Sequence, residues 1–173
     1  EEKKETYDDP PLLLSVAADT MRTADTEVVQ YAKIYADINS EGKFNQLELD
    51  AIAGKGDIYL RFKPDASGKR TFRLEADDAG AALKAFSVYD KIIGGKLVAY
   101  GEPIRSIYDR NLTGMVEITD FKAAKAPVLA QLLGALSLPG IIQLLNNEGV
   151  VFSKMQADFN WLYRQKGGVL VLK

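Results

Sequence analysis

Asp57-Ile-Tyr-Leu-Arg-Phe-Lys63 and Thr71-Phe-Arg-Leu-Glu-Ala76 decide the architecture. In the first run Ile58, Leu60 and Phe62 alternate with Asp57, Tyr59, Arg61 and Lys63. In the second, Phe72, Leu74 and Ala76 alternate with Thr71, Arg73 and Glu75. Successive side chains of a strand point to opposite faces, so each run reads as a strand with one apolar and one wet face. Pro64-Asp-Ala-Ser-Gly68 lies between them and has the residues of a hairpin loop. Working towards the N-terminus, Val28, Ala32, Ile34, Ala36 and Ile38 share a face, and Ser40-Glu-Gly42 turns the chain. Leu47, Leu49 and Ala51 follow on the next strand, which ends at the Gly54-Lys-Gly56 turn. Leu12–Thr20 supplies a first strand. Every connection is short, so the predicted arrangement through Ala76 is a five-stranded antiparallel meander.

Beyond Ala76 the period changes. Asp77 or Asp78 can cap a helix over Ala79–Tyr89, with Ala82, Leu83 and Phe86 facing inward and Gly94-Gly95 as its stop. Strands resume at Lys96–Tyr100 and Leu112–Phe121. Between Lys125 and Glu148 lie 22 residues without a formal charge. That is long enough for a bilayer span, but five polar residues and a central Pro139-Gly140 break it. Two short helices, about 127–137 and 140–147, are predicted instead by their apolar stripes. Leu132, Leu133 and Leu136, then Ile141, Ile142 and Leu145, would face either the core or a membrane. The last long strand carries Val151, Met155, Ala157, Phe159, Trp161 and Tyr163 on one face, and Gln165-Lys-Gly-Gly168 turns it into Val169–Leu172. The expected fold class is therefore α+β: a twisted, curved antiparallel sheet with about three short helices. Residues 12–173 form one domain after an acidic lead-in over 1–11.

Composition removes much chemistry. The chain has 173 residues, 47% of them apolar, and a net charge of −2, which excludes a wholly disordered polypeptide. It contains neither Cys nor His. Disulfides, thiolate nucleophiles, Cys-ligated metals and imidazole acid–base catalysis are thereby excluded. The segment from Phe121 to Lys173 has six basic and two acidic residues, too few and too dispersed for a nucleic-acid interface. No initiator Met or leader opens the chain, and Val169-Leu-Val-Leu-Lys173 stops within a strand pattern, so it reads as a piece of a longer polypeptide.

No catalytic set stands out. The serines have no His to activate them and none sits in a nucleophile elbow. Asp77-Asp78 serves better as a helix cap than as a carboxylate dyad. Asp19 and Asp25 lack the further carboxylates of a calcium loop, and the glycine pairs are turns rather than phosphate cradles. The expectation is a protein that is not an enzyme, with no cofactor, metal or nucleic acid.

Two segments carry a family resemblance. FRLEADDAGAALKAFSVYDKIIGGKLVAYG (72–101) and LTGMVEITDFKAAKAPVLAQLLGALSLPGIIQLLNNEGVVFSKMQADF (112–159) resemble the AsmA-like family. The shared pattern runs from a strand through Asp-Asp-Ala-Gly, a helix, Gly-Gly and a strand to a strand ending in Asp-Phe. A Pro-led apolar helix pair and a Phe-x-x-Met strand complete it. The nearest form is the C-terminal AsmA-like region of YhdP-type envelope proteins of alphaproteobacterial type. The resemblance implies a periplasmic section of a protein attached to the inner membrane through a segment absent from this chain. It also implies an apolar β-groove that conducts phospholipid towards the outer membrane, with no catalytic residues.

In a sheet that lines a groove, every second residue faces the lumen. On that ground Ile58, Leu60, Phe62, Phe72, Leu74, Met155, Phe159 and Trp161 are the candidates to touch phospholipid acyl chains. The competing arrangement is a closed core made of the same residues. The competing function is a non-enzymatic interaction or scaffold module of the cell envelope, whose partners are other envelope proteins or the membrane surface.

Overall fold

The computed structural model describes residues 10–23, 27–104, 111–125, 149–164 and 167–172. Nine strands make one sheet: β1 Leu12–Arg22, β2 Val28–Ile38, β3 Phe44–Ala53, β4 Gly56–Pro64, β5 Arg70–Ala76, β6 Ile92–Pro103, β7 Leu112–Ala123, β8 Val150–Arg164 and β9 Gly167–Leu172. Their spatial order is their sequence order, each pairs antiparallel with the next, and β1 and β9 are the two edges. The sheet is thus an open meander. Among the described residues there is one helix, α1, Ala79–Ala85. The two helices expected over 127–137 and 140–147, with Leu132, Leu133, Leu136, Ile141, Ile142 and Leu145, lie outside the described residues.

The hairpin between β4 and β5 forms for the reason its residues suggest. The Asp65 carboxylate accepts from the Ser67 and Lys69 amides at 2.8 and 3.0 Å and from the Ser67 hydroxyl at 2.6 Å. At the start of α1, Asp78 is the cap, its carboxylate accepting from the Ala81 amide at 3.0 Å. Asp77 instead donates its amide to the Asp57 carbonyl at 3.0 Å.

The helix is shorter than its sequence pattern predicts, ending at Ala85 rather than Tyr89. Ser87 adopts φ +54°, its amide donates to Lys84 and the Val88 amide reaches back to Leu83, both at 2.9 Å. That pair of bonds around one left-handed residue is a Schellman stop, here with Ser in the place glycine usually takes. A left-handed L-residue costs about 1–2 kcal/mol. Ser87→Gly is therefore expected to raise unfolding stability by about 1 kcal/mol, as a higher midpoint in urea at unchanged slope. Gly94-Gly95, expected to end the helix, lies inside β6.

Alternation within strands breaks at two places. In β2, Tyr31 has φ +50° and the register with β3 slips between Gln30 and Lys33. This bulge reverses parity, so Val29, not Val28, joins Ala32, Ile34 and Ala36 on the core side. The second break runs across three strands, where the registers place Gly95, Asp120 and Ser153 side by side. Gly95 and Asp120 both have positive φ, +84° and +54°. Beyond this line Ile92, Phe121 and Phe152 point inward, and the rings of Phe121 and Phe152 stack at 5.1 Å. Val151, expected on the inner face of β8, is 75% exposed.

The core sits between α1 and the sheet. Ala79, Ala82 and Ala85 let the helix lie close to β6, over Ile58, Ala76, Leu97, Ile118, Phe121 and Ala123. Its largest fully buried side chains are Phe121, Ile58 and Leu97.

Candidate functional site

Antiparallel register places residues of one face in rows that cross the strands. The first row runs Leu14, Ala36, Leu47, Phe62, Phe72, Gly101, Gly114, Phe159, Leu172, from one edge of the sheet to the other. The second runs Val16, Ile34, Leu49, Leu60, Leu74, Ala99, Val116, Ala157, from β1 to β8. A third contains Ala51, Ile58, Ala76, Leu97, Ile118 and Met155. None of these positions is charged or carries a polar side chain. The face is continuously apolar across these three rows; Arg70, two residues before Phe72 on β5, is buried at its margin and donates to the Asn45 carbonyl and side chain.

The opposite face is wet. Its rows read Tyr35, Glu48, Arg61, Arg73, Tyr100, Met115, Asp158 and Lys33, Asp50, Tyr59, Glu75, Val98, Glu117, Gln156. Ion pairs link neighbours across it: Arg61 with Asp50, Lys63 with Glu48 at 3.0 Å, and Lys154 with Glu117 at 2.7 Å. The hydrogen bond from Lys63 holds the Glu48 carboxyl below the usual carboxylate range, against a smaller opposing effect of burial. The charge of Asp57 raises the Tyr59 hydroxyl.

Helix α1 covers most of the third row, and the first two, with Leu97 of the third and Leu112, Trp161 and Leu170 of the row beyond Phe159, remain partly open. They form the floor of a trough of about 670 Å³. One wall is the helix and its stop, through Leu83, Phe86 and Val88; the other is Phe44, Trp161 and Tyr163. Lining residues come from β3 at one end to Leu170 of β9 at the other, so the sheet curves around this face. Lys43, on the rim and paired with Glu41 at 2.5 Å, is the one charged residue of the lining.

Of the candidates nominated from sequence, Leu60, Phe62, Phe72, Leu74, Phe159 and Trp161 are brought together in this trough. Ile58 is not among them: it is 1% exposed, within the core. Met155 is partly buried against the same core and does not line the trough. Both belong to the row nearest the helix. Leu47 from β3, Leu112 and Val116 from β7 and Leu170 from β9 are lining residues the sequence reading did not nominate. Period two was their signal, since Leu47 and Leu170 sit within strand patterns already recognised.

Gly101 and Gly114 face each other in the first row. A β-carbon on Gly101 would strike the Thr113 carbonyl, and one on Gly114 the Tyr100 carbonyl. Glycine permits that close approach and leaves no side chain between Phe72 and Phe159 in that row. On the wet side the same crossing forms a second concavity of about 610 Å³, with Arg73, Tyr100, Glu102 and Asp158 around it. Arg73 is paired with Glu75 and Glu102 with Lys69. It gathers no convergent set of one chemistry.

Among the described residues no three Asp or Glu side chains approach closely enough to hold a metal ion. Asp78 is occupied as the helix cap, and Asp77 pairs with Lys96 at 3.5 Å. No helix of the described residues is long and apolar enough to cross a membrane. Compared with protein families, curated proteins and solved structures, the chain gives no match.

Proposed function

We propose that this chain is a periplasmic section of an AsmA-like envelope protein, attached to the inner membrane through another part of the polypeptide, and that its trough holds phospholipid acyl chains on their way to the outer membrane. One observation carries the reading. Two apolar rows cross the sheet with no ionisable group in them and are left open by the helix. A concavity lined almost entirely by apolar side chains has the character of a binding site. An extended peptide in the trough would bring amide and carbonyl groups to a floor without polar side chains, and each left unpaired costs a few kcal/mol. A hydrocarbon chain makes no such demand. The same chain has no use for a catalytic group, in keeping with a carrier rather than an enzyme.

The rival reading, an envelope scaffold module, draws on the sheet edges. Leu13 of β1 is 69% exposed, and Val169, Leu170 and Val171 of β9 are exposed as well. An apolar edge strand with open backbone groups is suited to pairing with another protein. Native mass spectrometry of the protein purified from a Gram-negative host separates the two. Co-purified phospholipid or fatty acid is the expected result. A lipid-free chain that takes up no added lipid, yet forms a defined complex through its edges, would replace the carrier by the scaffold.

A further inference from the structure

We infer that the trough takes phospholipids with a net negative headgroup in preference to zwitterionic ones, the lipid phosphate replacing Glu41 as the partner of Lys43 at the turn between β2 and β3. This rests on the acyl-chain reading above and names the headgroup that goes with it.

An acyl chain can lie on an apolar floor, but the phosphate joined to it cannot, because a charge taken out of water needs a partner. Among the described residues of the lining one is charged, and it is a cation. Lys43 stands where the turn runs into β3, directly before Phe44 of the trough wall. The helix wall presents Leu83, Phe86 and Val88, and the far end presents Leu170. A negative headgroup therefore meets its charged contact at the turn.

The turn holds that cation in place. The Asn39 side-chain oxygen accepts from the Glu41 and Lys43 amides, both at 3.0 Å, and the Asn39 amide donates to the Lys43 carbonyl at 2.9 Å. An asparagine bonded to the backbone ahead of it in this way fixes a tight turn. The Lys43 side chain is 32% exposed and that of Glu41 is 65% exposed, so the cation is the inner partner and the carboxylate the outer one. A pair this open to water is weak. A phosphate whose acyl chain already lies on the floor can take the place of the carboxylate and form the same charge-assisted hydrogen bond.

A second cation backs the same corner. Arg70 shares the trough side of β5 with Phe72 and is buried. It donates from Nε to the Asn45 carbonyl at 3.1 Å and from Nη2 to the Asn45 side-chain oxygen at 3.0 Å, two residues along from Lys43. Asn45 also donates to Asp37 at 3.1 Å, but Asp37 lies in the row of Leu13 and Gln46, on the wet face. A choline or ethanolamine head would bring its own ammonium group to this corner. Repulsion from Lys43 would then offset what the phosphate gains.

The test is a competition on one surface. Vesicles of equal parts dioleoyl phosphatidylglycerol and dioleoyl phosphatidylcholine present both heads on identical acyl chains. The intact chain is incubated with them and separated, and its bound lipids are counted by mass spectrometry. Phosphatidylglycerol is expected in about fivefold excess, shrinking in ~1 M salt, where charges on a rim are screened within ~3 Å. Lys43→Glu is expected to bring the ratio to about one, and Glu41→Gln, which removes the competing carboxylate, to raise it about twofold. Both changes fall on an exposed turn, and circular dichroism checks that each variant is folded. Equal uptake by the parent, or an excess that survives Lys43→Glu, would overturn the inference and leave the acyl-chain reading in place. A ratio in Glu41→Gln at or below that of the parent would overturn the exchange of partners. Uptake of neither lipid would overturn the acyl-chain reading as well.

Discussion

Replacing Leu60 by Asp is expected to leave the sheet folded and to abolish the proposed lipid capture, whereas Ile58→Asp, two residues earlier on the same face, is expected to unfold the chain. The difference follows from which row each occupies. Ile58 is 1% exposed, between Ala51 and Ala76 and within the core that α1 covers. A carboxylate there has no water and no partner, a cost of several kcal/mol that consumes most of a typical domain stability of about 5–15 kcal/mol. Leu60 lies on the trough floor between Leu49 and Leu74 and is partly open. An Asp at that site stays hydrated through the mouth, so the fold loses only the packing of one half-buried leucine, about 1–2 kcal/mol. An acyl chain, however, would have to dehydrate the new charge to lie across it. Circular dichroism melts and lipid binding on the two variants give the readout. If Leu60→Asp unfolds as completely as Ile58→Asp, the rows form a closed core and the trough is no site.

Gly95→Val is expected to lower stability by about 3 kcal/mol or more, roughly 10 °C in melting temperature for a chain of this size. Gly95 sits at φ +84°, and a β-carbon added there would lie 2.7 Å from both the Phe121 Cβ and the Thr119 carbonyl. Valine is strained by that backbone before any contact is counted, and the contacts are with main chain and the Cβ of the buried Phe121. The damage would spread beyond one turn, because Gly95 and Asp120 together reverse the alternation that turns Ile92, Phe121 and Phe152 inward. A melting temperature within 2 °C of the parent would show that the break in alternation does not depend on this residue.

The sheet was legible wherever one strand's own period carried the information. Asp57–Lys63 and Thr71–Ala76 show it, since apolar and polar residues alternate there without interruption and the connecting loop names its own turn. The breaks were not legible. Val28 was read in place of Val29 and Val151 in place of Phe152, because a bulge at Tyr31 and the line through Gly95, Asp120 and Ser153 are settled by the partner strands. The helix end was hidden for a related reason: serine at Ser87 is an uncommon left-handed stop, and Gly94-Gly95 offered a more familiar signal. For the site, period two tells which face a residue takes and cannot tell which row a helix will cover. That is why Leu60, Phe62, Phe72, Leu74, Phe159 and Trp161 fall in the trough while Ile58 and Met155, with identical patterning, fall outside it.

Trp161 is the only tryptophan of the chain and forms part of the trough wall, so its fluorescence reports directly on what lies there. Bromine quenches indole emission only at close contact, and a fatty acid brominated near the middle of its chain carries that contact into the trough. With binding established independently by mass, the account predicts strong, saturable quenching, reversed by unlabelled palmitate. Bound brominated fatty acid that leaves Trp161 emission unchanged would place the acyl chain elsewhere on the protein and contradict the trough as the lipid site.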